Sequence, residues 1–197
     1  MKNSERREHT IRQLLDATKE LLRHKSCDAV TLKDIMEQSQ LSKGAIFHYV
    51  KSKDEIFARV LEERLEAVNE HFEEAVASSP DKTFEGPMQA ISRSLAGLED
   101  SHEATNKILL YMLGKENEPV VAKVLEHFHE RSVSVSRQWI ITGQKYGVIN
   151  ENVNPDETAE LFVLLSLGLR VQASLRTSTE SLSAKRVSDF MAGILKN

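Results

Sequence analysis

The segment from Ser42 to Tyr49 carries the side chains of this sequence best suited to reversible binding chemistry. Lys43 supplies a flexible cation, while His48 and Tyr49 supply a ring nitrogen and a phenolic hydroxyl that exchange hydrogen bonds. Gly44 removes side-chain bulk beside them. Groups of this kind bind phosphate oxygens and the edges of bases, so the segment favours recognition of a polyanion.

Other chemistries find little support in the sequence. There is no glycine-rich phosphate loop, no nucleophile elbow and no pair of helical metal ligands, and the seven histidines lack ligand spacing. The single cysteine, Cys27, cannot form an intrachain disulfide. We interpret it as a small packing residue, with oxidant sensing as the alternative. The sequence therefore predicts a protein that is not an enzyme and has no cofactor or metal.

Charge is distributed unevenly along the 197 residues. Residues 1–53 contain 11 Lys and Arg against 7 Asp and Glu, a balance of +4, whereas the remainder has a balance of −8. A basic N-terminal quarter on an acidic body indicates that the first segment meets nucleic acid. The longest apolar run, Leu161 to Leu169, is far short of the roughly 20 residues that span a bilayer. We expect a cytoplasmic protein with no membrane partner.

Apolar residues recur at helical spacing throughout, and few residues break helices. The pattern predicts an all-α fold with about nine helices. They are expected at Ser4 to His24, Thr31 to Ser39, Ser42 to Tyr49, Ser52 to a point before Pro80, Met88 to Leu98, Ile108 to Leu113, Pro119 to Tyr146, Pro155 to about Arg176, and Val187 to Leu195.

Two short helices with a tight turn between them form the helix-turn-helix pattern. Thr31 is a good N-cap with Asp34 at the third position, and Ser42 caps the next helix. That second helix, about eight residues or roughly 12 Å long, suits insertion into a DNA major groove. The alternative is that both helices are packed in a core and their lysines are solvated surface charge.

The segment from Thr31 to Phe57 resembles the DNA-binding signature of the tetracycline-repressor (TetR) family. The matching positions are Thr31, Ile35, Ser42, Lys43, Gly44, Ile46, Tyr49, Ser52, Lys53, Asp54 and Ile56. The resemblance implies a helix-turn-helix domain at residues 1–52 and an effector-binding and dimerisation domain at residues 53–197. Together with the chemistry above, it indicates DNA contacts by Thr31, Ser42, Lys43, Gly44, Ala45, Phe47, His48, Tyr49 and Lys53.

Four positions depart from the family pattern, and at one of them Val50 replaces a phenylalanine, an apolar exchange in the small core. Gln40 replaces a common glycine in the turn, which at positive φ costs about 1 kcal/mol. Ala45 and Phe47 replace residues that carry hydroxyls in relatives, so DNA affinity is expected to depend more on Lys43, Tyr49 and Lys53.

The predicted helix containing Leu161 to Leu169 is apolar on all sides, so it needs partners on two faces. We expect one face to pack in its own domain and another to join the last helix in a four-helix dimer interface. A fully buried central helix is the alternative. The residues predicted at the dimer interface are Phe162, Leu165, Leu169, Ala173, Phe190 and Ile194.

The resemblance also implies a pocket for a small-molecule effector among the central helices. Phe72, Ile108, Tyr111, Met112, Phe128 and Trp139 are the predicted lining residues, with an ordinary core role as the alternative. The resulting hypothesis is a homodimeric repressor that binds double-stranded operator DNA and is released by an apolar effector. A DNA-binding helical protein without effector response is the second hypothesis.

Overall fold

The computed structural model describes residues 3–78, 83–175 and 183–196, with side chains from residue 5 onward. These ranges form nine α-helices and a single 3-10 turn, and they contain no strand. The helices are α1 (Asn3–His24), α2 (Leu32–Ser39), α3 (Lys43–Phe47), α4 (Lys53–Ser78), α5 (Glu85–Ala96), α6 (Ala104–Leu113), α7 (Pro119–Lys145), α8 (Pro155–Ser174) and α9 (Ala184–Lys196). The all-helical prediction is confirmed, while the predicted helix end at Arg176 lies outside the described residues.

The helices group into two compact units. The first comprises residues 1–64 and 102–125, and the second comprises residues 65–101 and 126–197. The first unit is thus larger than the segment 1–52 expected from the sequence. The difference arises because the first turns of α4 and the whole of α6 group with α1 to α3.

The first unit is organised around apolar side chains contributed by five helices. The fully buried ones, each at most 1% exposed, include Leu14, Leu22, Ile35, Ile46, Phe57 and Ile108. Polar contacts add to this core: the Gln13 amide of α1 donates to the Ser39 carbonyl at the end of α2, 2.7 Å away. The Lys107 ammonium of α6 donates to the Leu22 carbonyl of α1. These contacts hold α2 and α6 against α1.

The turn between α2 and α3 begins with a left-handed residue. Gln40 caps the end of α2 at φ 54° and is the one non-glycine residue with positive φ in the described chain. This conformation terminates α2 and lets the chain reach Ser42, the N-cap of α3, after a single further residue. The sequence expectation for Gln40 therefore holds, and this turn carries a local backbone cost of about 1 kcal/mol.

The second unit has its own apolar core. Its members are Met88, Leu95, Leu98, Ile140, Ile149, Ala159, Phe162, Leu169, Ala184, Val187, Met191 and Leu195. Helix α9 packs against both α5 and α8. Helix α8 begins at Pro155, where the Asn154 side chain accepts a hydrogen bond from the Asp156 backbone N–H at 3.1 Å. Proline at the first helical position and asparagine as cap both favour this start.

The end of α7 is closed by a tight connection around two glycines. The Gly143 carbonyl accepts hydrogen bonds from the backbone N–H groups of Val148 and Ile149, at 3.0 and 3.2 Å. Gly147 has φ +69°, a conformation that favours glycine. A Cβ on Gly143 would lie 2.4 Å from Cδ1 of Ile149, so the close approach of this loop to α7 requires the glycine.

Groups with special chemistry are sparse in the described part of the chain. None of its helices is both long enough and apolar enough to cross a membrane. The same residues contain no group of three or more His, Cys, Asp or Glu arranged to hold a metal ion. Cys27 is 4% exposed, and burial raises the pKa of its thiol to about 11. A thiol in that state is protonated at neutral pH and unreactive.

Candidate DNA-binding interface

Helix α3 is anchored by one face and presents the other to solvent. Ile46 is 1% exposed and Val50, just beyond the helix, is 2% exposed. Lys43, Gly44 and Phe47 are exposed, with Phe47 at 41%. The buried pair ties the helix to the first unit, so its free face is held in a defined orientation.

The helix is shorter than the sequence predicts. Its N-cap Ser42 accepts a hydrogen bond from the Ala45 backbone N–H at 3.2 Å, as expected. At the other end the Ile46 carbonyl accepts from both the Tyr49 and Val50 N–H groups, at 2.9 and 3.1 Å, so the chain turns. His48 and Tyr49 therefore lie on a turn and not on the helix, with their rings edge to face at 4.8 Å.

Lys43 has few competing partners on this surface. Its Nζ lies 5.6 Å from the centroid of the Phe47 ring, one turn along the same face. A cation at that distance from the face of an aromatic ring is attracted to it. The pair places a positive charge and an exposed ring side by side on the free face of α3.

The start of α2 is fixed by a reciprocal cap. The Thr31 hydroxyl accepts from the Asp34 backbone N–H at 3.1 Å, and an Asp34 carboxylate oxygen accepts from the Thr31 N–H at 2.8 Å. Lys25 donates to the other carboxylate oxygen at 2.8 Å. The Lys25 hydrogen bond, followed by those from Thr31, holds the pKa of Asp34 well below its usual range. Thr31 thus lies at an exposed helix start, with its hydroxyl engaged by Asp34.

The Lys53 ammonium has hydrogen-bond partners within the protein that the sequence did not predict. Its ammonium donates to the carbonyls of Cys27 and Val30 at 2.8 and 3.0 Å, and lies 5.6 Å from the Phe57 ring centroid. The carbonyls belong to the segment that joins α1 to α2, which has no helical partners for them. This arrangement differs from the expected phosphate clamp because the ammonium is satisfied within the first unit.

Arg59, which the sequence analysis did not single out, supports α3 from the second turn of α4. Its Nη2 donates to the Tyr49 carbonyl at 3.2 Å, and Glu55 lies 3.9 Å away. Glu55 itself accepts from the Lys51 N–H at 2.7 Å. In the sequence, Arg59 and Glu55 follow the helix cap Ser52 by seven and three residues, and this placement is the signal that could have identified them. Both residues fix the chain between α3 and α4.

The predicted dimer residues are divided between core and surface. Phe162 and Leu169 are 5% and 2% exposed and belong to the core of the second unit, so they are not on a surface that a partner can reach. Leu165, Ala173 and Ile194 are half-buried, and Phe190 is 55% exposed.

An exposed apolar stripe runs along α8 on the face beside those core residues. Its members are Leu161, Leu164 and Val171 on α8 and Leu175, which caps the end of that helix; they are 38%, 58%, 37% and 63% exposed. Their spacing of three, seven and four residues keeps them on one helical face. Gly168 lies within the same stripe, and a Cβ added there meets nothing within 4 Å. We call these five residues the α8 stripe.

A cavity in the second unit contains two of the six predicted effector residues. Phe72 and Trp139 both line it, with their rings stacked at 4.8 Å and 23°. Phe128 is half-buried in the same unit and is not among the lining residues.

The other three predicted effector residues lie in the first unit. Ile108 and Met112 are fully buried there. The Tyr111 hydroxyl donates to an Asp54 carboxylate oxygen at 3.2 Å, and Lys115 donates to the second oxygen at the same distance. Burial raises the pKa of the Tyr111 phenol. Tyr111 is therefore part of a polar cluster that ties α6 to the start of α4.

Known proteins resemble this chain in the sequence of its helix-turn-helix and in its fold. Residues 14–60 match the family model of bacterial regulatory proteins of the tetR family. An uncharacterized HTH-type transcriptional regulator of Bacillus subtilis, YfiR, is 33% identical over 54 residues, which is 27% of this chain and 26% of that protein. The match thus spans about a quarter of the relative's length.

Solved structures cover nearly the whole chain. Reduced NemR of Escherichia coli superimposes with a TM-score of 0.69 at 16% identity, over 95% of this chain and 98% of that one. GusR of Salmonella enterica gives 0.65 at 18% identity, over 94% and 95%. Residues 14–60 therefore carry the helix-turn-helix of the tetR family of bacterial regulatory proteins, and the fold of these solved structures extends over the remaining helices.

Proposed function

We propose that this protein is a homodimeric transcriptional repressor that binds operator DNA through α3 and is released by a small molecule. The observation that carries the proposal is the geometry of α3, whose Ile46 is buried while Lys43, Gly44 and Phe47 face solvent. A short helix propped in this way, within a basic segment, suits the major groove.

The contacts to DNA follow from what the free face of α3 offers. Lys43 donates to guanine edges or phosphates, and Gly44 allows close approach of the backbone. Ala45 and Phe47 supply apolar contacts to thymine methyl groups. On the turn that follows, His48 and Tyr49 reach bases or phosphates. These contacts read sequence in one half-site.

Two further residues position the helix-turn-helix on the phosphate backbone. Thr31 and Ser42 stand at the exposed starts of α2 and α3, where backbone N–H groups have no helical acceptor. Lys53 has a different role in this proposal: because its ammonium holds the Cys27 and Val30 carbonyls, it supports the α1–α2 connection from inside.

A second copy of the chain covers the α8 stripe in this proposal. Five apolar or small residues on one helical face, together with Phe190 on α9, leave hydrophobic surface that a twofold partner buries. Two chains are also what the DNA requires, because half-sites read by paired recognition helices lie about 34 to 36 Å apart.

Release by a small molecule requires a path from the ligand to α3. Phe72 lines the cavity and lies on α4, the same helix that carries Lys53 and Arg59. A ligand that repositions Phe72 shifts α4 and therefore the supports of α2 and α3. Coupling of about 1 to 3 kcal/mol is sufficient for regulation.

Selection of bound duplexes from a random DNA pool, followed by competition with unselected duplex, tests the proposal. We expect an enriched inverted repeat that the wild-type protein binds at least about a thousandfold more tightly than random duplex. Lys43→Ala should reduce this ratio, whereas Lys123→Ala, an exposed lysine on α7, should leave it unchanged. Equal affinity for selected and random duplex would exclude a sequence-specific regulator.

A further inference from the structure

We infer that Arg59 is a positioning residue for sequence recognition, which orients the turn that carries His48 and Tyr49 without contacting DNA itself. The inference rests on the proposed function in one respect, since it requires α3 and this turn to read operator DNA. It deepens that function because it assigns part of the sequence specificity to a side chain on α4.

The turn after α3 depends on support from elsewhere in the first unit. Helix α3 has five residues, which are too few for a helix to be stable alone. Ile46 and Val50 anchor it by apolar burial, an attraction that has no preferred direction. Apolar burial therefore fixes the depth of α3, whereas the orientation of the following turn is left to hydrogen bonds, which are directional.

Two hydrogen bonds to α4 supply that orientation. The Arg59 Nη2 donates to the Tyr49 carbonyl at 3.2 Å, and a Glu55 carboxylate oxygen accepts from the Lys51 N–H at 2.7 Å. Glu55 and Arg59 are four residues apart, so they project from the same face of α4. The backbone from Tyr49 to Lys51 is thus held at both ends by one helical face.

The part of α4 that holds the turn is itself firmly anchored. Ile56, Phe57 and Val60 alternate with the two supporting residues in the sequence, and each is 0% exposed in the core of the first unit. A side chain on an element packed in this way holds its neighbour in a defined position. Arg59 therefore links the turn that reads DNA to the rigid core.

Stability alone explains the placement of Arg59 poorly. Its Nε is buried and has no hydrogen-bond partner among the described residues, which lowers stability. The ion pair with Glu55 spans 3.9 Å between side chains that are 29% and 37% exposed, and pairs of this kind contribute little to folding. The hydrogen bond to the Tyr49 carbonyl thus favours a role in recognition over a role in folding.

Arg59→Met tests the inference, because methionine keeps the apolar stem and places a methyl group where the buried Nε lies. We expect the urea midpoint of unfolding to be unchanged or higher. The preference for selected over random duplex should fall at least about tenfold, because a misplaced turn loses base contacts. A clearly lower urea midpoint, or failure to fold, would assign Arg59 a structural role and overturn the inference.

Arg64→Met is the matched control. Arg64 lies five residues further along α4, is half-buried like Arg59 and carries the same charge. This variant should leave the preference for selected duplex unchanged. In both variants, we expect the same slope of log affinity for random duplex against log salt, because neither arginine contacts a phosphate. A slope about 0.9 smaller in Arg59→Met alone would make Arg59 a direct DNA contact and overturn the inference.

A double-mutant cycle identifies the side chains through which Arg59 acts. In a protein that already carries His48→Ala and Tyr49→Ala, Arg59→Met should weaken binding to the selected duplex by less than about twofold, since the turn has no reading side chain left to misplace. A further loss as large as in the wild-type background would show that Arg59 acts independently of the turn and would overturn the inference.

The wild-type protein separates this inference from the proposed function. A wild-type protein with no preference for selected duplex would remove the proposed function, and the inference with it. A wild-type preference that Arg59→Met retains in full would overturn the inference and leave the regulator intact.

Discussion

Near α3 in the first unit, the apolar Ile46 is buried and the exposed residues are mainly polar or small, whereas on α8 of the second unit the apolar Leu164 remains 58% exposed. Two glycines also differ in the space around them. Gly44 has nothing within 4 Å of an added Cβ, while Gly143 has Ile149 at 2.4 Å. The first unit leaves open space beside its exposed residues at Gly44, and the second combines tight internal packing at Gly143 with an exposed apolar face on α8.

A charge placed on the exposed apolar face of α8 is expected to give the largest effect. Leu164→Glu would bury an unpaired carboxylate in each half of a twofold interface, at roughly 3 kcal/mol per charge. We expect more than about a hundredfold weaker association in analytical ultracentrifugation, with loss of operator binding. Val120→Glu is the matched control, because Val120 is 65% exposed on α7 and lies in the first unit. A fully dimeric Leu164→Glu protein would exclude the α8 stripe as the interface.

The glycine contrast gives the next largest effect. Gly143→Ala should lower the free energy of unfolding by about 1 to 3 kcal/mol, because the new methyl group overlaps Ile149. Gly44→Ala should leave stability unchanged or slightly raised, since alanine favours helix, yet weaken binding to the selected duplex. Urea denaturation and competition binding measure the two properties. The reverse pattern, a destabilised Gly44→Ala with normal DNA affinity, would contradict the open face of α3.

Two lysines sharpen the comparison between surface and support. Lys43→Ala should reduce the slope of log affinity against log salt by about 0.9, if its ammonium contacts a phosphate. Lys53→Ala should leave that slope unchanged and instead lower the free energy of unfolding by about 2 kcal/mol, because two carbonyls lose a charged donor. DNA titrations over a range of salt concentrations measure the slope, and urea denaturation measures the free energy of unfolding. A reduced slope in Lys53→Ala would restore this lysine as a phosphate contact.

The smallest expected effect concerns the turn before α3. Gln40→Gly should raise the free energy of unfolding by at most about 1 kcal/mol, since glycine adopts φ 54° without strain but loses more entropy on folding. Gln38→Gly, at an exposed position inside α2, should lower it by about the same amount. If both substitutions lower the free energy of unfolding by the same amount, the left-handed backbone of Gln40 is not strained.

Local signals in the sequence were sufficient for much of the fold. The cap formed by Thr31 and Asp34, the start of α8 at Pro155 and the left-handed Gln40 all depend on neighbours within four residues. Helix existence follows from apolar periodicity, which is equally local. The end of α3 was misjudged by two residues because Val50 turns into the core, and that preference is set by tertiary packing.

Side-chain direction was harder to predict where the sequence offers no contrast. In an apolar run such as Leu161 to Leu169, periodicity cannot distinguish the buried face of the helix from the exposed one. Phe162 was therefore predicted on the exposed face, whereas Phe162 is buried and Leu164 is exposed. Tyr111 and Trp139 were both expected to line one effector pocket, but the two residues belong to different compact units. Lys53 is the residue type that the family pattern has at this position. The carbonyls to which its ammonium donates lie more than twenty residues earlier in the chain, so the local sequence does not reveal them.

The state of Cys27 makes the chain convenient for site-directed spectroscopy. Since this thiol is buried and protonated at neutral pH, maleimide reagents will leave it untouched in the folded protein. A cysteine introduced at Lys33, whose side chain is 83% exposed, can therefore carry a fluorophore or spin label without prior removal of the native thiol. Labels at that position would give the distance between the two helix-turn-helix segments of a dimer, with and without DNA.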